Sequence, residues 1–311
     1  MLLVWRIARE LWPGRDRMAL GAAAFVAFVP VTVKAEAMFH PETLSLFVCT
    51  LAIWLCVKTF ADRRFAWALG AALGAAQLVR AFGLWTVLAV AIALAAGRRW
   101  RELAIVVCLA GAIAAPWYVH QQQTYGHPIV FNVAASSKPL WDRRPVSFFI
   151  DPGLPASLTA PYRPHFLNRW LPMAYNELWG DYYGAWVWEG VGTPTPSVRH
   201  RLQLEALVGI APTLLAIGGW IALLLSSWRS PRRLAVVLLP PLGALGLLYF
   251  AMTYQTPDGD VVKATYMLSS TAGWALGFGY ALERLRGRLW LVAAGLAATS
   301  ALVELPFLIY G

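Results

Sequence analysis

The chain has 311 residues, of which 59% are hydrophobic and only 14% are charged, and its mean hydropathy is +0.56. Soluble proteins average about 25% charged residues, so this composition excludes an ordinary soluble domain and indicates a polytopic membrane protein. The formal net charge is +10, but the basic residues stand in short arginine clusters between apolar runs. That arrangement is typical of the positive-inside rule and argues against nucleic acid as a partner.

The apolar runs predict an all-α, polytopic transmembrane bundle of about nine helices, forming a single membrane domain over residues 1–311. The arginine clusters predict a cytoplasmic N-terminus, with every other connection on the cytoplasmic side. The runs fall at 18–37, 42–60, 65–80, 83–97, 102–119, 205–228, 233–253, 265–283 and 289–309.

Two of these runs need an argument, because residues 65–97 are too long for one pass of about 20 residues. Basic residues stand at both ends of the stretch, so two short helices that meet near Arg80–Gly83 would return the chain to the same side. Gly70 and Gly74 form a small-xxx-small pair and predict close packing of the first short helix on a neighbour.

A long polar segment interrupts the apolar pattern, and we predict an external loop region over residues 120–203. Between Tyr125 and His200 it holds ten of the chain's 20 prolines and five tryptophans. Long loops in compact proteins are usually functional or disordered, and the aromatic content favours order. A bundle that performs chemistry at the membrane surface would need such a segment.

Two acids are the best candidates for that chemistry. Glu42 follows His40 and Pro41 at the start of a helix, where it either caps the helix or faces a cavity between the first two long helices. Asp181 lies in the aromatic segment Trp179–Gly184, which suits either a sugar ring or a loop that rests on lipid.

Two cations stand where a cation is unfavourable. Arg80 lies inside an apolar run, where it costs about 2.5–3.5 kcal/mol on insertion scales, unless it snorkels to the surface or pairs with an anion such as phosphate. Lys263 comes three residues before Tyr266 at a predicted helix start, where a cation opposes the helix dipole. A nearby anion would explain both positions.

At this point the chain resembles the GT-C membrane glycosyltransferases, the superfamily of the protein O-mannosyltransferases and the 4-amino-arabinose transferases. The short motifs that carry the resemblance are HPETL at 40–44, LGAALGAAQLVR at 69–80, APWY at 115–118 with YGHP at 125–128, WGD at 179–181 and VKATYML at 262–268. Their order and spacing are similar to those of the family.

The resemblance implies an inverting transfer of a sugar from a polyprenyl-phosphate carrier to an acceptor at the outer face of a bacterial inner or plasma membrane. An acid would act as general base and basic residues would stabilise the leaving phosphate. The sugar and the acceptor, whether lipid, glycan or protein, stay open. No cofactor is assigned, and a divalent metal is left open. We take Glu42 and Asp181 as candidate catalytic residues, and His40, Arg80, Trp179, Lys263 and Tyr266 as candidate substrate-binding residues.

The chain departs from the family at its N-terminus. Members of the family usually carry catalytic acids in a first outer loop after a first membrane helix, whereas Met1 here opens directly on a basic segment. We therefore expect an N-terminally truncated chain, in which a base upstream of Met1 is missing; otherwise Glu36, Glu42 or Asp181 serves.

Two other classes of function remain as alternatives. A lipid or sugar transporter, or a flippase, would move its substrate across a sealed bilayer and would show internal repeats. A non-catalytic subunit would bind polyprenyl lipids without transferring the sugar. The three cysteines lie in apolar runs and have no spacing that predicts a metal site or a disulfide.

Overall fold

The computed structural model describes residues 1–37, 40–129, 139–161, 169–180, 196–253, 263–296 and 298–299. Within these ranges the chain is helical and contains no β-strand, which confirms the predicted all-α membrane bundle. The helices are α1 Leu2–Leu11, α2 Asp16–Phe28, α3 Pro30–Ala37, α4 Pro41–Thr59, α5 Phe65–Val79, α6 Gly83–Ala96, α7 Trp100–Tyr125, α8 Leu140–Arg143, α9 Val146–Ile150, α10 Ala156–Thr159, α11 Trp170–Trp179, α12 Pro196–Val208, α13 Ile210–Ser227, α14 Pro231–Thr253, a 3₁₀ helix Ala264–Ser270, and α15 Thr271–Arg284.

Four helical segments among the described residues are long and apolar enough to cross a membrane: α4, α7, Arg199–Ser227 and α14. The pair α2 and α3 makes a fifth if it counts as one span bent by 54°. The shorter apolar helices α5 and α6 coincide with two of the predicted runs, and the division of the whole chain into one domain with nine passes stays a prediction.

The long helix α4 and the short helix α15 form the centre of the bundle. In the most apolar 18-residue stretch of α4, 67% of the residues are buried inside the protein, whereas in that of α7 only 17% are buried. Small residues let α15 approach both of its neighbours, because a Cβ on Gly277 would lie 2.7 Å from the Ala216 carbonyl and one on Gly279 would lie 2.2 Å from the Met18 carbonyl. Membrane helices lack a hydrophobic drive to associate, so close packing of this kind holds them together.

The two short helices α5 and α6 confirm the predicted hairpin. α5 ends at Val79 and α6 begins at Gly83, so the chain reverses between them. α5 packs closely on α7 through the glycine pair, since a Cβ on Gly70 would lie 3.0 Å from Leu109 and one on Gly74 would lie 2.7 Å from Ile113. The predicted role of this pair in close packing is confirmed.

The arginine clusters of separate connections meet at one end of the bundle, which we call the arginine-rich end. Glu10 near the end of α1 contacts Lys58 at the end of α4 at 2.8 Å, and Arg63 contacts Glu102 at the start of α7 at 3.2 Å. The start of α14 also contacts α1, because Arg233 donates a hydrogen bond to the Leu11 carbonyl.

The opposite end carries the start of α4, the α5–α6 turn and the short helices of the predicted loop region. Glu42 and Lys58 are separated along α4 by roughly 24 Å at 1.5 Å per residue, which is most of the hydrocarbon thickness. Phe148 of α9 and Met173 of α11 pack there against Leu247 and Ala251 of α14. The described parts of the loop region are therefore ordered against the bundle.

Candidate functional site

The start of α4 places an acid, Glu42, at the end of the bundle opposite the arginine-rich end. His40 has an extended conformation, and Pro41 occupies the first helical position, where its fixed φ and missing N–H are tolerated. Glu42 then falls in the first turn, where the positive end of the helix dipole favours a carboxylate. Its side chain is nevertheless only 2% exposed, so it points into the protein and not towards solvent.

The turn between α5 and α6 brings a cation to this acid. Arg80 ends α5 in an extended conformation, and the Gly83 N–H donates to its carbonyl at 2.9 Å. Gly83 suits this tight turn, since a Cβ there would lie 2.8 Å from the Ala76 carbonyl oxygen. As a result, Nη2 of Arg80 lies 2.7 Å from Oε1 of Glu42.

The same carboxylate also contacts the imidazole of His40 through Oε2. A buried carboxylate is costly without a cation, so the Arg80 guanidinium explains how Glu42 is tolerated at this depth. Exposure is unequal within the cluster, because 36% of the Arg80 side chain and 25% of the His40 side chain remain accessible. We call these three residues the acid–base cluster; it presents Arg80 and His40 outward with Glu42 beneath them.

The pairing of Glu42 with Arg80 was missed in the sequence analysis. The sequence suggested that Arg80 either snorkels or meets an external phosphate, whereas its described anionic partner is a side chain 38 positions earlier. An unexplained cation and an unexplained acid within the apolar part of one chain were the available signal. Each could have been proposed as the partner of the other.

A group of aromatic rings connects the acid–base cluster to Tyr266. Phe82, two residues after Arg80, stacks on Tyr266 with ring centroids 5.0 Å apart, and Phe250 packs edge-on against both. Tyr266 lies in the 3₁₀ helix, and its backbone N–H donates to the carbonyl of Lys263, which precedes that helix. The predicted residues Lys263 and Tyr266 therefore belong to a segment that contacts the Arg80 turn.

Trp179 has a different environment from the other candidates. Its ring is fully buried, and its indole N–H donates to the Thr213 hydroxyl at 2.8 Å. Gly209 lies directly against the ring, where a Cβ would approach to 2.5 Å. Its predicted contact with a sugar is untested and stays a prediction. Asp181 lies outside the described residues.

The residue just before Asp181 is held by side chains that the sequence analysis did not select. Lys34 of α3 donates to the Gly180 carbonyl. Glu205 of α12 is buried against Gly180, and Oε1 of Glu205 lies 3.9 Å from Arg201. These contacts fix the point at which the chain leaves α11. Lys34 and Glu205 both occur at the edges of predicted apolar runs, where a charged residue is a recognisable signal.

An apolar cavity of about 270 Å³ lies beside this segment. Part of its wall comes from Ala264 and Met267, which lie on the same 3₁₀ helix as Tyr266, and part comes from Trp179 and Ala174 on α11. Phe25 of α2 and Trp274 of α15 also line it. The cavity therefore offers apolar volume next to Lys263, which directly precedes Ala264.

Among the described residues, no three or more His, Cys, Asp or Glu side chains are grouped so that they could hold a metal ion. Glu42 and His40 form only a pair of potential ligands, and Arg80 accompanies them. A divalent metal therefore remains open as a cofactor.

Comparison with known protein families gives one match. Residues 1–120 match the family described as dolichyl-phosphate-mannose-protein mannosyltransferase, which is of the GT-C type. The resemblance inferred from the sequence motifs is thereby confirmed, and the match supports an integral, multi-pass membrane glycosyltransferase. The matched range includes the acid–base cluster, whereas Trp179, Asp181, Lys263 and Tyr266 lie beyond it. No curated protein and no solved structure matched the chain.

Proposed function

We propose that this chain transfers a sugar from a polyprenyl-phosphate carrier to an acceptor at the external face of the membrane. The observation that carries the proposal is the acid–base cluster at the end of the bundle opposite the arginine-rich end, within the range that matches the family. Its partly exposed guanidinium can donate two hydrogen bonds to phosphate oxygens while Glu42 holds it in place.

The reaction requires a base, a displaced group and a cation for the leaving phosphate. The acceptor loses its proton to a carboxylate, its oxygen or nitrogen forms a bond to the anomeric carbon, and the bond from that carbon to the phosphate oxygen breaks with inversion. The electron pair leaves with the polyprenyl phosphate. Arg80 and Lys263 are assigned to neutralise that charge.

Glu42 is better suited to positioning Arg80 than to deprotonating an acceptor. It is buried, and its two oxygens already contact Arg80 and His40, so neither oxygen is directed at a space where an acceptor could lie. Asp181 is accordingly our candidate for the base within this chain, following Gly180, which Lys34 holds.

The apolar cavity supports a lipid-linked donor. Its walls are hydrocarbon and aromatic, and it adjoins the 3₁₀ helix that follows Lys263. An isoprenoid chain that enters it from the bilayer leaves lipid and not water, so its binding there would be favoured by van der Waals packing against the cavity walls while its phosphate contacts Lys263 and Arg80.

The test measures donor binding and transfer separately. A labelled polyprenyl-phosphate sugar is titrated into the purified chain and into Arg80→Ala, Lys263→Ala, Glu42→Gln and Asp181→Asn, with Arg64→Ala as a control for loss of an exposed arginine at the other end. We expect Arg80→Ala and Lys263→Ala each to weaken binding about tenfold, as loss of a charged hydrogen bond would. The control should bind like the parent.

Transfer decides the role of the acids. Asp181→Asn should retain binding and lower the rate by about 10²–10⁴, the usual cost of losing a general base. If Arg80→Ala and Lys263→Ala bind the donor as the parent does, the proposed phosphate site is wrong. If Asp181→Asn transfers the sugar at the rate of the parent, Asp181 is not the base.

A further inference from the structure

A second concentration of charge lies at the arginine-rich end, far from the acid–base cluster. Four arginines from three separate parts of the chain meet there: Arg15 in the turn between α1 and α2, Arg232 and Arg233 at the start of α14, and Arg284 at the end of α15. We call them the arginine cluster. The proposed sugar transfer uses none of them.

Two of these arginines are attached to the same turn of the chain. Arg233 donates to the Leu11 carbonyl at 3.0 Å, and its guanidinium lies 5.1 Å from the centre of the Trp12 ring. The backbone N–H of Arg15 donates to the carbonyl of Trp12 at 3.3 Å. The turn that follows α1 therefore holds Arg233 on one side and leads directly into Arg15.

The tyrosine Tyr280 connects two members of the cluster. The guanidinium of Arg284 lies 3.5 Å from the centre of this ring and donates to its hydroxyl. The guanidinium of Arg15 lies 5.6 Å from the centre of the same ring. The packing of these planar groups on a buried aromatic ring limits their freedom, so the cations are held in place before any ligand arrives.

Nearby carboxylates do not balance these charges. Glu283 contacts Arg15 at 3.3 Å. Glu10 lies 4.0 Å from Arg232, but it is already 2.8 Å from Lys58. Within the described part of the chain, two acids thus face five cations. The Nε–H of Arg232 is moreover buried and has no hydrogen-bond partner there.

The surroundings of the cluster indicate the plane of lipid headgroups. The arginines stand at the ends of α2, α14 and α15, and the last turn of α13 lies beside them through the contact of Ser226 with Tyr280. On the last turn of α13, Leu225 is 71% exposed and Trp228 just beyond it is 55% exposed. An exposed apolar side chain next to an interfacial tryptophan and fixed arginines is the environment that an anionic lipid headgroup and its first acyl carbons would occupy.

We propose that the arginine cluster is a binding site for the phosphodiester of an anionic membrane phospholipid. The lipid phosphate would be held by Arg15 and Arg284, which both lie against the Tyr280 ring, with Arg232 and Arg233 as further cations beside the turn that carries Arg15. Guanidinium groups bind phosphate oxygens with directed, charge-assisted hydrogen bonds. The site is independent of the proposed sugar transfer, because it lies at the opposite end of the bundle.

The test compares lipids of identical acyl chains in the full chain purified in a neutral detergent. Dioleoyl phosphatidylglycerol, dioleoyl phosphatidylcholine and soluble glycerol phosphate are titrated, and retained lipid is counted by native mass spectrometry together with the shift in Tm. We expect retention and a raised Tm with phosphatidylglycerol, and neither effect with the other two. Phosphatidylcholine has the same phosphodiester, but its choline cation cancels the charge, so equal effects of the two lipids would contradict a site for an anionic lipid. An equal effect of glycerol phosphate would assign a free anion instead of a lipid.

A matched pair of variants locates the site. Arg15→Gln with Arg284→Gln removes the two charges that lie against Tyr280, and Arg286→Gln with Arg288→Gln removes two exposed charges just outside the cluster. The first variant should bind phosphatidylglycerol at least about tenfold more weakly, and the second should bind it nearly as the parent does. Equal losses of affinity in both variants would show that phosphatidylglycerol binding depends only on the net positive charge of this end, and would overturn the proposal. Rescue by Arg→Lys at the same positions should be partial, since a lysine keeps the charge but lacks the planar fork.

Discussion

At the scale of single residues, the contact between Glu42 and Arg80 is the determining feature of the candidate site. A carboxylate that is 2% exposed would be strongly disfavoured alone, and the guanidinium at 2.7 Å offsets much of that cost. The same contact fixes which face of the guanidinium remains available to a ligand. Stability and donor recognition are therefore coupled through these two side chains.

A double-mutant cycle should reveal this coupling. Arg80→Ala leaves a buried carboxylate with less compensation, and Glu42→Gln leaves a cation in an apolar surrounding, so each change alone should destabilise the protein. The double variant should be more stable than the sum of the two losses predicts, by about 1 to 3 kcal/mol in the free energy of unfolding measured in mixed micelles.

A control double-mutant cycle uses Glu36 in place of Glu42, because Glu36 is exposed on α3. Arg80→Ala combined with Glu36→Gln should give additive losses, because no described contact joins the two residues. Additivity in the cycle with Glu42 would mean that the pair makes no energetic contribution and that Glu42 requires another explanation.

At the scale of elements, the α5–α6 turn determines where Arg80 points. A Cβ on Gly83 would lie 2.8 Å from the Ala76 carbonyl, so Gly83→Ala must shift the turn that carries Arg80. We expect a loss of about 1 to 3 kcal/mol in unfolding free energy, the range for overpacking, together with weaker donor binding. The control is Gly111→Ala on α7, where a Cβ meets nothing within 4 Å and an alanine should be neutral or stabilising. Equal behaviour of the two variants would show that the turn tolerates the change.

The cavity beside α11 gives a second prediction at this scale. Ala174 lines it and is 8% exposed, so Ala174→Phe should fill part of its volume. If an isoprenoid chain occupies the cavity, this variant should lose affinity for a long-chain polyprenyl-phosphate sugar but keep its affinity for a short-chain analogue. The measurement is a pair of binding isotherms, with Ala95→Phe on α6, away from the cavity lining, as the control. An unchanged ratio of the two affinities would show that the isoprenoid chain binds outside this cavity.

The elements and the site were predictable from the sequence to different degrees. The break between α5 and α6 was predictable from length, because the apolar stretch of 33 residues is too long for one membrane pass and has basic residues at both ends. The glycine pair that packs α5 on α7 was predictable from its four-residue spacing. The contact between Glu42 and Arg80 was not accessible in this way, since it depends on how the α5–α6 turn lies against the start of α4. The burial of Trp179 could not be derived from the sequence either, because tryptophan occurs in sugar sites, at lipid interfaces and in protein cores. The ring is buried because Gly209, which is distant in sequence, leaves room for it, and its indole N–H donates to Thr213.

At the scale of the whole molecule, the two ends of the bundle have opposite chemistry. The arginine clusters of α1–α2, α4–α5, α6–α7, α13–α14 and the end of α15 share one end. The acid–base cluster and the helices α8 to α11 share the other. Positive charge in short connections stays on the cytoplasmic side, so the arginine-rich end should be cytoplasmic and the candidate site external.

Cysteine labelling tests this orientation directly. Cys108 is exposed on α7 and is first replaced by alanine, whereas Cys49 and Cys56 are buried and can remain. A cysteine at Ser147, exposed on α9, should react with a membrane-impermeant maleimide added to intact cells, and a cysteine at Ala61, exposed between α4 and α5, should not. Both should react once the membrane is permeabilised, which controls for burial. The reverse pattern in intact cells would show that the topology is inverted. The acid–base cluster would then face the cytoplasm and would act on donors and acceptors on that side.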